Sequence, residues 1–329
     1  MSRAFTEASA DSNPLPIASL SAALITYNEA ARIDECLSSL EQLCGEIVVL
    51  DSNSTDATRE ICERRPQLRF VQQDFAGYAE QKNRALDLCT GEWILCLDAD
   101  ERLTPEAADD IRRFINQSPP PEVAGARLVR RTVHMGAFIN HGGWTHYRYR
   151  LVRRGRARWR GVDDMPLHEL LVPIAAAPNT KSADDGAPRF TEWQRQNGVT
   201  LHGALIHSSQ TDLANQVDTI NTYSSIYAGA RHARRLQIAQ KRGKSPRRPF
   251  YLWRMLWKPP VKFIEIYIAK AGFLDGYRGL IIAASSSFAT FLRWAKMYEL
   301  SRTDLREASN LPQFLRAESE ASPQDSSRS

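Results

Sequence analysis

Asp98 and Asp100, one residue apart, follow the apolar run Trp93-Ile94-Leu95-Cys96-Leu97, and Glu101 comes directly after them. Two carboxylates at that spacing can face a common point, with the small Ala99 keeping the turn compact. Such hard oxygen ligands at the end of a buried strand suit Mg²⁺ or Mn²⁺ bridged to phosphate oxygens. The competing role is a helix N-terminal cap, because Leu103-Thr104-Pro105 follows and acidic groups favour helix starts. The strand-end position and the βα elements before it decide for the metal.

Tyr27-Asn28-Glu29 and Asp51-Ser52-Asn53-Ser54-Thr55-Asp56 follow two other apolar runs, so they converge on the same crevice if those runs pair in parallel. A carboxylate there can accept hydrogen bonds from a ribose or a base N–H, whereas Ser54, Thr55 and Asp56 also fit plain loop and cap roles. Asp163, Asp164 and Glu169 are candidates to take a proton from an attacking hydroxyl. His207, in Leu205-Ile206-His207-Ser208, fits either a core histidine or a metal ligand. His134, His141 and His146 lack zinc spacing and have no cysteine partners. No G-x-G-x-x-G follows the first apolar run, which counts against a dinucleotide oxidoreductase.

The elements that must hold these residues alternate. Ile17 to Tyr27, Glu46 to Asp51, Leu68 to Gln72 and Trp93 to Leu97 read as short buried strands. Helices are expected over Ala30 to Leu43, Tyr78 to Cys89 and Pro105 to Gln117, with Thr90-Gly91 closing the second and Ser118-Pro119-Pro120-Pro121 ending the third. Ala124 to Val133 resumes extended structure. The alternation predicts an α/β fold with a parallel sheet and right-handed crossovers, binding its ligand beyond the carboxyl ends of the strands. Pro173 to Gly198 reads as an inserted loop, and the chain turns helical after Thr211.

The 329 residues, 43% apolar and 25% charged, describe an ordinary folded chain, and a net charge of +5 permits anionic partners without choosing among them. Five cysteines without a C-x-x-C pair suggest reduced core thiols. The start of the chain lacks the basic-then-apolar pattern of a secretory signal. Fifteen Lys or Arg face three acidic residues between Arg231 and Glu299, interleaved with Phe250, Tyr251, Trp253, Trp257, Phe263 and Tyr267. The run Gly279 to Leu292 is shorter than the roughly 18 to 20 apolar residues of a spanning helix, so an interfacial role on a membrane surface is expected, with no nucleic-acid partner.

Leu24-Ile25-Thr26-Tyr27-Asn28-Glu29, Val48 to Asp56, Gln81-Lys82-Asn83-Arg84-Ala85-Leu86 and Leu97-Asp98-Ala99-Asp100-Glu101 together resemble family 2 glycosyltransferases, most closely the bacterial lipopolysaccharide core β-glucosyltransferase branch. The resemblance runs from about Leu20 to Leu300 and is most specific up to Thr104. It implies a GT-A, Rossmann-like nucleotide-sugar-binding sheet with a helical, basic, membrane-associated C-terminal region, and an inverting transfer of a hexose, glucose, from a UDP-sugar with a divalent metal, Mg²⁺ or Mn²⁺. The implied divisions are a disordered leader 1–17, a catalytic domain 18–210, a helical region 211–300 and a disordered tail 301–329.

By the same resemblance Asn28, Glu29, Asp51 and Lys82 surround the nucleotide, Asp98 meets the ribose and diphosphate, and Asp100 holds the metal with His207. Trp144, in His141-Gly142-Gly143-Trp144, and Arg150 match a pattern near donor and acceptor. Pro166-Leu167-His168-Glu169 resembles the His-Glu motif that makes Glu169 the catalytic base. Thr145-His146-Tyr147 stands where the branch usually has Pro-Asp, a departure that bears on the sugar or acceptor. The implied acceptor is a lipopolysaccharide core or other lipid-linked glycan at the cytoplasmic face of the inner membrane. A polyprenyl phosphate, a capsule chain or a protein side chain are alternative acceptors, and a non-catalytic nucleotide-sugar-binding scaffold is a further reading.

Overall fold

Strands β1 (Ile17–Thr26), β2 (Cys44–Asp51), β3 (Leu68–Gln72) and β4 (Trp93–Cys96) pair in parallel in the spatial order β3-β2-β1-β4. They read as unbroken apolar runs because both of their faces are covered. Leu20, Ala22, Leu24, Ile47, Val49 and Leu95 enter one core layer, while the alternating Ala23, Val48, Leu50, Ile94 and Cys96 enter the other. The computed structural model describes residues 15–162, 165–174, 198–208, 212–241 and 248–302.

Three helices connect these strands: α1 (Ile33–Ser38), α2 (Thr58–Glu63) and α3 (Tyr78–Leu88). The helix expected over Ala30 to Leu43 is shortened to α1. The Ser39 hydroxyl donates to the Cys36 carbonyl at 2.7 Å, a local bond that competes with helix continuation. All five cysteines are buried and free.

After β4 come β5 (Glu101–Leu103), α4 (Pro105–Asn116), β6 (Gly125–His134), β7 (Ala137–Ile139), β8 (His146–Arg153), β9 (Ala157–Val162), β10 (Met165–Pro173) and β11 (Gly198–Ser208). The sheet continues as β4-β8-β6-β11-β5, with β7 on the side of β6. This half is mixed, which amends the expected parallel sheet: β8 runs antiparallel to both β4 and β6. Met135-Gly136, with φ of 48° and 76°, makes a tight hairpin between β6 and β7, a connection that allows only antiparallel pairing. β9 and β10 form a separate antiparallel ribbon.

Register places the site residues. Thr26 pairs with Asp51, and His207 of β11 pairs with Glu101 of β5, which puts the histidine beside Asp100. Helix α4 lies so close to β11 that a Cβ at Gly203 would stand 2.2 Å from the Ala107 Cα. Asp110 of α4 accepts from the backbone of His202 and Gly203 at 2.9 and 2.8 Å, pinning that contact.

The C-terminal part comprises α5 (Leu213–Lys241), α6 (Arg248–Ile264), a π-turn (Glu265–Ala269), a 3₁₀ turn (Gly272–Asp275) and α7 (Gly276–Leu300), with α7 packed against both α5 and α6. Asp275 joins this part to the sheet by accepting from the backbone N–H of Asn140 and His141 and from the His141 ring. Among the described residues no helix is long and apolar enough to cross a membrane. The leader up to residue 14, the insertion over 175–197 and the tail from 303 lie outside the described residues.

Candidate active site

Asp98 sits where β4 ends and is half-buried between two cations. Lys82 Nζ of α3 donates to Asp98 Oδ1 at 2.6 Å, and Arg150 Nη2 of β8 donates to Asp98 Oδ2 at 2.7 Å. Desolvation pushes the Asp98 carboxyl up, but the opposing charges of Arg150 and Lys82 outweigh it and hold the group well below the usual carboxylate range. The same Lys82 ammonium reaches Glu169 Oε1 of β10 at 2.5 Å and lies 4.5 Å from the centre of the Trp159 ring. Burial lowers the Lys82 pKa, yet Asp98 and Glu169 raise it further, so the amine stays charged.

Glu101 faces inward and is 1% exposed. It accepts from Arg150 Nη2 at 2.6 Å and Arg130 Nε at 2.7 Å, and its other oxygen accepts from the Asp98 backbone N–H at 3.2 Å. Asp98, Glu101 and Glu169 are thus matched by Lys82, Arg130 and Arg150, a balanced set of the kind that burial demands. His146 is held neutral beside it: burial and the charges of Arg148, Arg130 and Arg150 push its pKa down to about 3.

The outer half is not balanced. Asp100 Oδ2 lies 3.0 Å from His207 Nε2, while Arg32 reaches Asp100 and Glu29 only at 3.9 and 3.8 Å. Glu29 Oε2 and His207 Nδ1 are buried without a hydrogen-bond partner. Burial raises the Glu29 pKa to about 7; Arg32 opposes the rise and Asp100, Asp56 and Asp98 add to it. Excess negative charge therefore gathers around Asp100. Among the described residues no three His, Cys, Asp or Glu side chains form a metal cage. Asp100 and His207 still fit a divalent cation that keeps its remaining positions for phosphate oxygens and water, the usual manner of Mg²⁺.

The loops after β1 and β2 are stitched together. Asn28, at φ 56°, donates its backbone N–H to Ser54 Oγ and accepts from the Thr55 N–H, each at 2.8 Å, while Glu29 N–H donates to Thr58 Oγ1 at 2.8 Å. Asp51 is fully buried, and its oxygens accept from Thr26 Oγ1 at 2.8 Å and from the Ser54 N–H and hydroxyl at 2.8 and 2.5 Å. It therefore braces the loop from below.

Arg150, 5% exposed, lies under the crevice and spends one nitrogen on Asp98 and Glu101. Trp144 packs with Ile139, Ile266 and Ile282, where sheet and C-terminal helices meet. Asp163 and Asp164 lie outside the described residues.

Four residues at the site were not singled out by the sequence, Arg130, Trp159, Tyr223 and Tyr227, and Glu101 was named only as part of the Asp98 to Glu101 group. Burial and the carboxylates of Asp100, Glu169, Glu29 and Asp98 raise the pKa of Tyr223, and burial raises Tyr227 to about 12 with Glu169 contributing. Helix α5 thus brings two phenols to the acidic centre. Their i, i+4 spacing was visible, but nothing in the sequence told which element that helix face would meet.

A family model described as Glycosyl transferase family 2 matches residues 21–160, a span that holds the loops after β1 and β2, Lys82, the Asp98 to Glu101 turn and Trp159. The chain is 29% identical over 290 residues to a lipopolysaccharide core biosynthesis glycosyltransferase, LpsC, of Rhizobium meliloti (strain 1021), covering 87% of this chain and 94% of that one. It is 27% identical over 293 residues to an uncharacterized glycosyltransferase of Rickettsia bellii (strain RML369-C), covering 86% and 87%. Among solved structures, S. aureus TarS 1–349 overlays 88% of this chain and 92% of its own at 17% identity and a TM-score of 0.38.

Proposed function

We propose that this chain, whose residues 21–160 match a model described as Glycosyl transferase family 2, is an inverting, divalent-metal-dependent hexosyltransferase moving glucose from a UDP-sugar to a lipopolysaccharide core or other lipid-linked glycan. The observation that carries this reading is one crevice beyond β1 and β4 that gathers Asp100 beside His207 and joins Asp98 to Glu169 through Lys82. The core acceptor is supported by the similarity to LpsC, matched along 94% of that relative. Such an acceptor is met at the cytoplasmic face of the inner membrane.

Asn28 and Glu29 lie at the rim of the nucleotide side, on loops that Asp51 and Ser54 hold in shape. Asp100 and His207 would hold the cation, which when bound supplies positive charge against the departing diphosphate. An acceptor hydroxyl attacks the anomeric carbon from the face opposite the diphosphate. A new C–O bond forms as the bond to the diphosphate oxygen breaks, and the hydroxyl proton passes to the Glu169 carboxylate. Lys82 orients that carboxylate, and Arg150 and Glu101 fix Asp98 from beneath. Helix α5, which packs against β10, carries Tyr223 and Tyr227 within electrostatic reach of Glu169.

The test is Glu169→Gln, a change of similar shape that cannot take the proton. Transfer should fall about 10²- to 10⁴-fold while donor affinity, read by calorimetry, is kept. Transfer at the wild-type rate, or donor binding lost in step with transfer, would remove Glu169 from the role of base.

A further inference from the structure

Helix α6 is apolar on two faces, and only one of them is used. Tyr251, Met255 and Phe263 turn inward onto α7 and the π-turn, in clusters with Trp294, Met297, Ile266 and Ile282. On the other side Trp253, Leu256, Ile264 and Ile268 are 55%, 73%, 51% and 59% exposed. Their spacing keeps them along one side of the helix and its π-turn, with Trp257 between them. A row of side chains this large and this exposed is uncommon on a soluble surface and marks an interaction face.

The charges beside the row share one sign. Between positions 248 and 280 there are six Lys or Arg against Glu265 and Asp275. Glu265 is taken by Lys262 and Lys270 at 3.0 and 2.5 Å, and Asp275 by His141. Lys258 lies 5.2 Å from the Trp257 ring centre and Arg278 4.6 Å from Tyr277, whereas Arg254 packs between Trp253 at 5.5 Å and the inward Phe250 at 5.0 Å. Exposed indoles and phenols with cations against their rings match the boundary of a bilayer, where aromatic groups sit at headgroup level and Lys and Arg meet anionic lipid. A second copy of the same face would set like charges against each other across a two-fold axis.

We infer that the exposed face of α6 and the π-turn, built on Trp253, Leu256, Trp257, Ile264 and Ile268 with Lys258 and Lys262 beside it, docks the protein onto an anionic phospholipid surface. The contact we infer is interfacial, with these side chains entering the headgroup layer. The inference shares with the proposed function only the membrane location of the acceptor. Its test uses neither donor nor acceptor, so each can fail separately.

The full chain is sedimented with vesicles of phosphatidylcholine alone or mixed with phosphatidylglycerol. Binding should require the anionic lipid and weaken as salt rises. Leu256→Asp/Ile264→Asp should weaken it at least about tenfold, from the lost apolar insertion. Lys258→Glu/Lys262→Glu should lower it more than about tenfold, since each basic residue near the surface contributes about fivefold. Far-ultraviolet circular dichroism should be unchanged in both variants. Equal binding to neutral vesicles, undiminished binding by the folded variants, or a wild-type dimer that the apolar variant dissociates would each overturn the inference.

Discussion

Glu29→Gln should make the protein more stable at high pH and leave it unchanged at low pH. The Glu29 carboxyl titrates near 7, against 4.5 for the free group, because burial and the carboxylates around it oppose its ionisation. Between these values the native state holds a proton that the unfolded chain has released. Stability therefore falls as pH rises through that window, and the whole loss is present above pH 7. A shift of this size corresponds to roughly 3 kcal/mol, of which about 2 kcal/mol is expected after allowing for the quarter of the side chain that meets solvent. The substituted amide keeps the shape without the charge. Thermal unfolding at pH 4, 6 and 8 should show the variant level with wild type at pH 4 and about 3 °C higher at pH 8. Added Mn²⁺ should narrow the gap at pH 8, because a cation at Asp100 and His207 relieves the same repulsion. A stability difference equal at all three pH values would refute the reasoning, since burial and neighbouring charge would then not be what Glu29 reports.

Lys82→Met should cost about 2 to 4 kcal/mol, less at pH 3 than at pH 7, because Asp98 and Glu169 lose their shared cation and the strongly lowered Asp98 carboxyl titrates closer to its ordinary value; urea unfolding at the two pH values checks it. Asp51→Ala should cost about 3 kcal/mol by stripping Thr26 and Ser54 of their acceptor, and amide exchange in the loop after β2 should rise. Gly203→Ala should destabilise by about 1 to 3 kcal/mol or more, since the added carbon meets the α4 backbone, and the thermal midpoint measures it.

The first four strands were legible because strands buried on both faces carry continuous apolar runs, and Leu97-Asp98 marks where one stops. The mixed half of the sheet was legible only in part. Ala124 to Val133 was legible as the extended stretch that becomes β6, but its antiparallel partner β8 was not: it holds Arg148 and Arg150, and no apolar period announces a strand whose buried arginine is answered by Glu101 and Asp98 from elsewhere. Asp100 and His207 could each be named alone, but their meeting depends on the β11–β5 register. Lys82 and Glu169, 87 positions apart, were each named in the sequence, Lys82 by the family resemblance and Glu169 as a candidate base, yet only the ribbon of β9 and β10 brings them into contact. Asp51 was recognisable as a strand-end carboxylate, but its bonds to Thr26 across the register and to Ser54 in the loop depend on the fold.

The most direct test of the transferase reading is donor turnover. UDP release from UDP-glucose, UDP-galactose and UDP-GlcNAc is measured with Mn²⁺, Mg²⁺ or EDTA, for wild type and for Asp100→Ala. Turnover of UDP-glucose that EDTA abolishes and Asp100→Ala lowers by at least about a hundredfold is the predicted result. Turnover indifferent to both, or none with any donor, would contradict it.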